Sequence, residues 1–154
     1  MDITQKIISI LTENQIQFDE IDHGIAQTCE ESARARGADI RIGGKTILFK
    51  DKRDFRLFTL SASLEVDSNR VRKILKSQRL RFATNEELQE LCSVERGALP
   101  PLGKELYPFD HYLDKSIISN DKIAFNAGIL TKSIIMSVED YIRLTNPIIC
   151  EFSK

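Results

Sequence analysis

Gly43-Gly44-Lys45-Thr46-Ile47-Leu48-Phe49-Lys50 is the stretch of this chain best suited to chemistry, a lysine set between two glycines and an apolar run. The glycines let a backbone approach closely. The run that follows has the length and composition of a buried strand. Side chains alternate along a strand, so Lys45 shares a face with Ile47 and Phe49, and Thr46 shares the other with Leu48 and Lys50. A cation on the same face as two large apolar residues is either a strand-end lysine with its stem packed and its head in water, or a binding group.

Other chemistries fit less well. Gly44-Lys45-Thr46 reproduces the last three positions of the phosphate-binding pattern G-x-x-x-x-G-K-[ST], but the first glycine would fall on Asp39. The order is also reversed: a helix is expected before the loop and a strand after it, so no helix N-terminus faces the phosphates. His23 and His111 are the only histidines, and neither Cys-x-x-Cys nor His-Glu-x-x-His occurs, so no metal site is expected. Gly-x-Ser-x-Gly is missing as well, which removes the nucleophile elbow of a serine hydrolase. Cys29 follows the helix cap Thr28, where a thiolate is favoured, but no partner spacing makes it a nucleophile and a packed thiol is expected.

The totals bound the class. The 154 residues are 29% charged and 42% hydrophobic, as in an ordinary globular protein, and are read as one domain, residues 1–154. A net charge of -1 excludes a global field that would steer the chain onto nucleic acid, so any such contact needs a local patch. Three widely spaced cysteines, Cys29, Cys92 and Cys150, fit a reducing compartment rather than a disulfide framework. The N-terminus lacks the pattern of a signal peptide, and no apolar run reaches the roughly 18 residues of a membrane span. A soluble cytoplasmic protein with no membrane partner is expected.

The elements that must position Lys45 follow from caps and periodicity. Asp2 with Gln5, Thr28 with Glu31 and Thr84 with Glu87 are capping boxes that open helices, and Gly37 closes the second of these. Ser137 with Asp140 opens a last helix that stops before Pro147. Val66, Val71, Ile74 and Leu75 mark one further amphipathic helix. Strands are expected over 16–21, 45–50, 55–60, 107–113, 123–126, 134–136 and 148–152, with a hairpin turn at Asp51–Asp54. Gly97-Ala98-Leu99-Pro100-Pro101-Leu102-Gly103 cannot be regular structure. The order is mixed, so the fold class is α/β in the α+β sense, with one central mixed or antiparallel curved sheet, or partial barrel, and flanking helices.

Between Ser68 and Asn85 there is no acidic residue, while Arg70, Arg72, Lys73, Lys76, Arg79 and Arg81 all fall there. Such a run is a solvated helix face or a phosphate-backbone contact.

Taken in order, His23 with Thr28 and Glu31, Gly44-Lys45-Thr46-Ile47-Leu48, Gly97-x-x-x-Pro101, Pro101-Leu102-Gly103-Lys104, Leu113-Asp114 and Phe125-Asn126-Ala127-Gly128 resemble the YbaK-like aminoacyl-tRNA deacylase family. That family is related to the editing domain inserted in bacterial prolyl-tRNA synthetases. The resemblance spans residues 23 to about 144. It implies a trans-editing hydrolase that cleaves the ester joining a wrong amino acid to the 3′ acceptor end of a tRNA. Proline tRNA carrying a small residue such as alanine or cysteine is the expected substrate. It implies no cofactor and no metal. Prolyl-tRNA synthetase as a further partner and a monomeric state are separate expectations.

On this resemblance Lys45 is the key catalytic residue. As a general base it would have to be neutral near pH 7, a shift of roughly 4–5 kcal/mol from its reference value. As a cation it would hold a terminal phosphate or a developing oxyanion with no shift, and this role is favoured. Gly43 and Gly44 would let the nucleic-acid backbone close in. Gly97, Ala98, Leu99, Pro100, Pro101 and Gly103 would grip the aminoacyl end, since two prolines leave that loop richer in carbonyl acceptors than in donors. Asn126, Ala127 and Gly128 would form a small-residue pocket wall, and Thr46 would hydrogen-bond substrate or be a buried, satisfied hydroxyl. Arg70, Arg72, Lys73 and Lys76 would contact the tRNA backbone. Where the family often carries histidine or serine this chain has Asn126, which leaves the amino-acid specificity open. The rival expectation is a non-catalytic module that binds tRNA or a synthetase on the same fold.

Overall fold

A computed structural model describes residues 1–154. In chain order the elements are α1 (Ile3–Glu13), β1 (Phe18–Asp22), α2 (Cys29–Arg36), a 3₁₀ turn (Ile40–Ile42), β2 (Gly44–Lys50), β3 (Phe55–Ser61), α3 (Ser68–Leu75) and β4 (Arg81–Phe82). There follow α4 (Asn85–Cys92), β5 (Asp110–Asp114), α5 (Lys115–Ile118), β6 (Lys122–Asn126), β7 (Lys132–Ser137), α6 (Val138–Thr145) and β8 (Ile148–Cys150). None of the helices is long and apolar enough to cross a membrane.

The caps form as the sequence indicates. Asp2, Thr28 and Thr84 accept from the backbone three residues on, while Gln5, Glu31 and Glu87 reach back to the N–H of the cap residue. Each exchange satisfies donors that a first helical turn leaves free. Gly37 ends α2 in the left-handed region, at φ 66°, where a Cβ would be strained.

The strands make two sheets rather than one central sheet. β4-β2-β3-β5-β8 form a mixed five-stranded sheet, in which β2 is antiparallel to β3 and β4, while β3-β5 and β5-β8 are parallel. β1-β7-β6 form a separate antiparallel sheet. The two meet where Gly43 bridges Ala124. A Cβ on Gly43 would lie 2.9 Å from the Ala62 methyl, and one on Gly44 2.8 Å from Ile123 Cδ1. The glycine pair therefore lets one sheet pack against the other. A Cβ at either position would meet protein, so both glycines are needed for this contact.

A large core lies between the sheets and collects Ile7 and Leu11 of α1, Leu48 and Leu57 of the hairpin, Leu102, Leu113, Phe125 and Tyr141. A smaller core on the opposite face of the five-stranded sheet holds Phe49, Phe58, Leu60, Val71 and Phe152, with Ile47 and Leu64 packed against it. The face to which Lys45 belongs is thus the one that α3 covers.

Element ends differ from expectation in several places. Val66 lies outside α3, which starts after the cap Asp67, and Val66 instead bridges Ser153. Tyr107 precedes β5, and its hydroxyl donates to the Cys92 carbonyl. β8 stops at Cys150, because Phe152 N leaves the ladder to donate to Asp114 Oδ1 at 2.7 Å. Burial alone would raise the Asp114 pKa, but donors from Phe152, Ser116 and Ser153 hold it below the usual carboxylate range. Asp114 is thereby a structural clasp for the C-terminal segment. Three short elements, the 3₁₀ turn, β4 and α5, have no counterpart in the sequence pattern.

Candidate functional site

A cleft of about 80 Å³ opens beside the junction of the two sheets. The cap residue Thr28 is joined by Cys29, Ser32 and Arg36 from one face of α2; Gly43 is joined by Gly44, Lys45 and Thr46 from the head of β2; Ala62, Gly97, Leu99, Phe125 and Asn126 complete most of the wall. Lys45, Gly97 and Asn126, some eighty residues apart at the extremes, converge here. No Asp or Glu lines the cleft, while two cations do.

Lys45 is positioned by register, opposite Leu60 across the β2-β3 hairpin. Its Nζ donates to the Leu64 carbonyl at 2.5 Å and lies 3.9 Å from Glu65 Oε2, with the side chain 22% exposed. The stem is packed and the head sits at a rim of acceptors. Thr46 points to the other face and shares a hydrogen bond with Thr59 at 2.9 Å.

That bond begins a buried polar chain. Thr59 Oγ1 is 2.9 Å from His111 Nε2, the Tyr141 hydroxyl is 3.4 Å from the same nitrogen, and Tyr141 donates to the Pro101 carbonyl at 2.7 Å. Burial lowers the His111 pKa to about 4, so the ring is neutral at pH 7; its Nδ1 has no partner. Through this chain β2, β3, β5 and α6 fix the double-proline turn.

The loop expected to grip substrate enters the cleft only at Gly97 and Leu99. Ala98, Pro100, Pro101 and Gly103 are buried in the fold instead. Gly97, at φ 92°, would place a Cβ 2.7 Å from the Gln27 carbonyl oxygen, so only glycine lets the loop meet the segment ahead of α2. Two of the carbonyls anticipated as free are used within the protein: Pro101 O by Tyr141 and Gly97 O by Asn126 Nδ2 at 3.0 Å.

Of the expected pocket wall, Asn126 alone reaches the cleft. Ala127 belongs to the large core, and Gly128 packs where a Cβ would meet Ile3 Cγ2 of α1 at 2.4 Å. Their smallness serves helix packing. Asn126 is a hub: its amide also donates to Ser32 Oγ at 3.2 Å, and its Oδ1 accepts from Arg36 Nη2 at 3.1 Å and from Ser133 Oγ at 3.2 Å.

Arg36 goes unnoticed in the sequence, as one more basic residue in the last turn of a helix. Its Nε also donates to Ser133 Oγ at 3.0 Å, where His23 Nε2 lies 2.8 Å away. Burial lowers its pKa to about 10. The only available signal is the i, i+3, i+7 line Cys29-Ser32-Arg36, one face of α2. Cys29 itself is half-buried, and burial raises its thiol pKa despite Lys45 nearby, so it is no ready nucleophile.

The basic helix keeps part of its charge free. Arg70 lies 3.7 Å from Asp67, and Arg72 is tied to Asn69 and to the Gln78 carbonyl. Lys73 and Lys76 are exposed, Lys76 as the left-handed cap of α3.

The family described as aminoacyl-tRNA editing domain matches residues 23–144. The chain is 28% identical to the multifunctional Ser/Thr-tRNA deacylase ProXp-y of Escherichia coli K12, over 97% of this chain and 92% of that one. It is 23% identical to the prolyl-tRNA editing protein ProX of Acetoanaerobium sticklandii, over 91% and 88% of the two chains. In fold it is similar to a crystal structure described as a candidate trans-editing enzyme for prolyl-tRNA synthetase, with TM-score 0.85 and 21% identity over 100% of this chain and 98% of that one.

Proposed function

The chain belongs to the aminoacyl-tRNA editing domain family, and from that premise we propose that it hydrolyses the ester of a mischarged tRNA, acting as a free-standing deacylase. The observation that carries this reading is the convergence of Lys45, Gly97 and Asn126 on one small cleft.

In this reading Lys45 acts as a cation. Its partners in the free protein, a carbonyl and a carboxylate at the rim, are acceptors that an incoming phosphate or oxyanion would replace. The remaining lone pair of the Gly97 carbonyl, the other being used by Asn126, would receive the α-ammonium group. An aminoacyl ester is already activated and carries a neighbouring ribose hydroxyl, so a water or the substrate's own group attacks the carbonyl. The protein supplies position and charge. Arg70, Arg72, Lys73 and Lys76 lie on the helix that covers the Lys45 face and would follow the tRNA backbone.

The polar lining of the cleft, with Ser32, Asn126 and Arg36, supports a small hydroxylated side chain, serine or threonine, over the alanine or cysteine first expected on proline tRNA. The activity named for the Escherichia coli relative agrees. A prolyl-tRNA synthetase partner is supported only by the names of the ProX relative and the structural neighbour. The test is turnover of one tRNA charged in turn with serine, threonine, alanine and cysteine. Saturable binding without turnover of any of them would favour a non-catalytic module.

A further inference from the structure

Arg36 is a half-buried guanidinium without a counter-charge. No carboxylate lies within ion-pair distance of it; its Nε and Nη2 are held by the neutral oxygens of Ser133 and Asn126, at 3.0 and 3.1 Å. Both holders are themselves fixed. Ser133 is fully buried and bonded to His23 and Asn126, and Asn126 is 7% exposed and tied to Ser32 and Gly97. The fork is therefore preset, and its third nitrogen, Nη1, makes no hydrogen bond to the protein. That nitrogen lies 3.6 Å from where a Cβ on Gly43 would stand, on the cleft wall.

A guanidinium has donors only, and a partly desolvated one that lacks a counter-charge and leaves a nitrogen without an acceptor is costly. What completes it is an oxygen brought by the ligand. Lys45 stands at the Leu64–Glu65 rim, on the sheet face covered by the cationic α3, and is the group placed for phosphate. Arg36 stands against Asn126, Ser32 and Gly43, in a cleft of about 80 Å³ that leaves room for a side chain of few atoms. We propose that Arg36 is the specificity-determining residue of the cleft, donating from Nη1 to the side-chain hydroxyl oxygen of a seryl or threonyl ester. This rests on the deacylase reading and adds to it which atom of the amino acid is recognised, and by what.

Sites built around a hydrogen bond to a substrate hydroxyl reject the isostere that lacks it, because their own polar groups are then left unpaired. The test compares kcat/KM for one tRNA charged with serine and the same tRNA charged with 2-aminobutyrate, in which a methyl replaces the hydroxyl. The wild-type protein needs no variant to fold for this comparison, and a preference of at least about tenfold for serine is expected. In Arg36→Gln that ratio drops to within about threefold of unity, and Arg36→Lys recovers part of it. Equal wild-type rates on the two esters overturn the inference while leaving the deacylase reading intact. So does an Arg36→Gln protein that loses both activities in equal proportion, since that is the behaviour of a phosphate contact or a structural staple. A wild-type protein inactive on every ester overturns the deacylase reading, and this inference with it.

Discussion

The Tyr141 hydroxyl donates to the Pro101 carbonyl across 2.7 Å, joining helix α6 to the double-proline turn at a point where both are buried. A turn rich in proline has few donors of its own, so its position depends on what donates to its carbonyls. In Tyr141→Phe the carbonyl loses that donor, and stability falls by about 1–3 kcal/mol. Urea denaturation measures the loss. If the turn also sets the Gly97 end of the cleft, KM for mischarged tRNA rises in the same variant.

His111 makes stability depend on pH. Its folded pKa, near 4, lies below the ordinary 6.5, so between those values the unfolded chain takes up a proton that the folded chain refuses. Its contribution is full above pH 6.5 and is lost as pH falls through the window, by up to roughly 3 kcal/mol. Urea midpoints at pH 7.0 and 4.5 should differ more for the wild type than for His111→Gln. Equal differences in the two proteins would show that the ring does not titrate in this way.

The glycines divide by what their Cβ would meet. At Gly97 it is the backbone oxygen of Gln27, and φ is positive besides; at Gly44 it is the movable tip of Ile123. Gly97→Ala should therefore destabilise by at least about 1 kcal/mol more than Gly44→Ala. Thermal melts of the two variants rank them, and the opposite order would contradict the packing described.

The α3 cations are predicted to act through phosphates. Replacing Arg70, Lys73 and Lys76 together by Gln should weaken tRNA binding. It should also flatten the salt dependence, by roughly 0.7–0.9 in the logarithmic slope for each phosphate that is no longer neutralised. Titrations at several salt concentrations read this directly, and an unchanged slope would remove α3 from the interface.

Much of this is legible in the sequence, because much of it is local. The capping boxes at Asp2, Thr28 and Thr84 and the lysine strand depend on spacings of a few residues. What is not legible depends on distant pairings. Nothing near Pro101 indicates that its carbonyl belongs to Tyr141, and nothing near Gly128 that helix α1 lies against it. The strands divide into two sheets that are joined by a bridge between Gly43 and Ala124, a pairing of residues far apart in the chain. Arg36 reads as a solvated helix-end cation until the second sheet brings Asn126 and Ser133 beneath it.

Lys45 is the charge on which the proposed reaction turns, holding the substrate's phosphate or oxyanion. The direct measurement is the rate of deacylation of a mischarged tRNA by Lys45→Ala, with its fold checked by circular dichroism. A fall in kcat/KM of at least about 100-fold with the fold intact is the predicted result. Hydrolysis at the wild-type rate would contradict it.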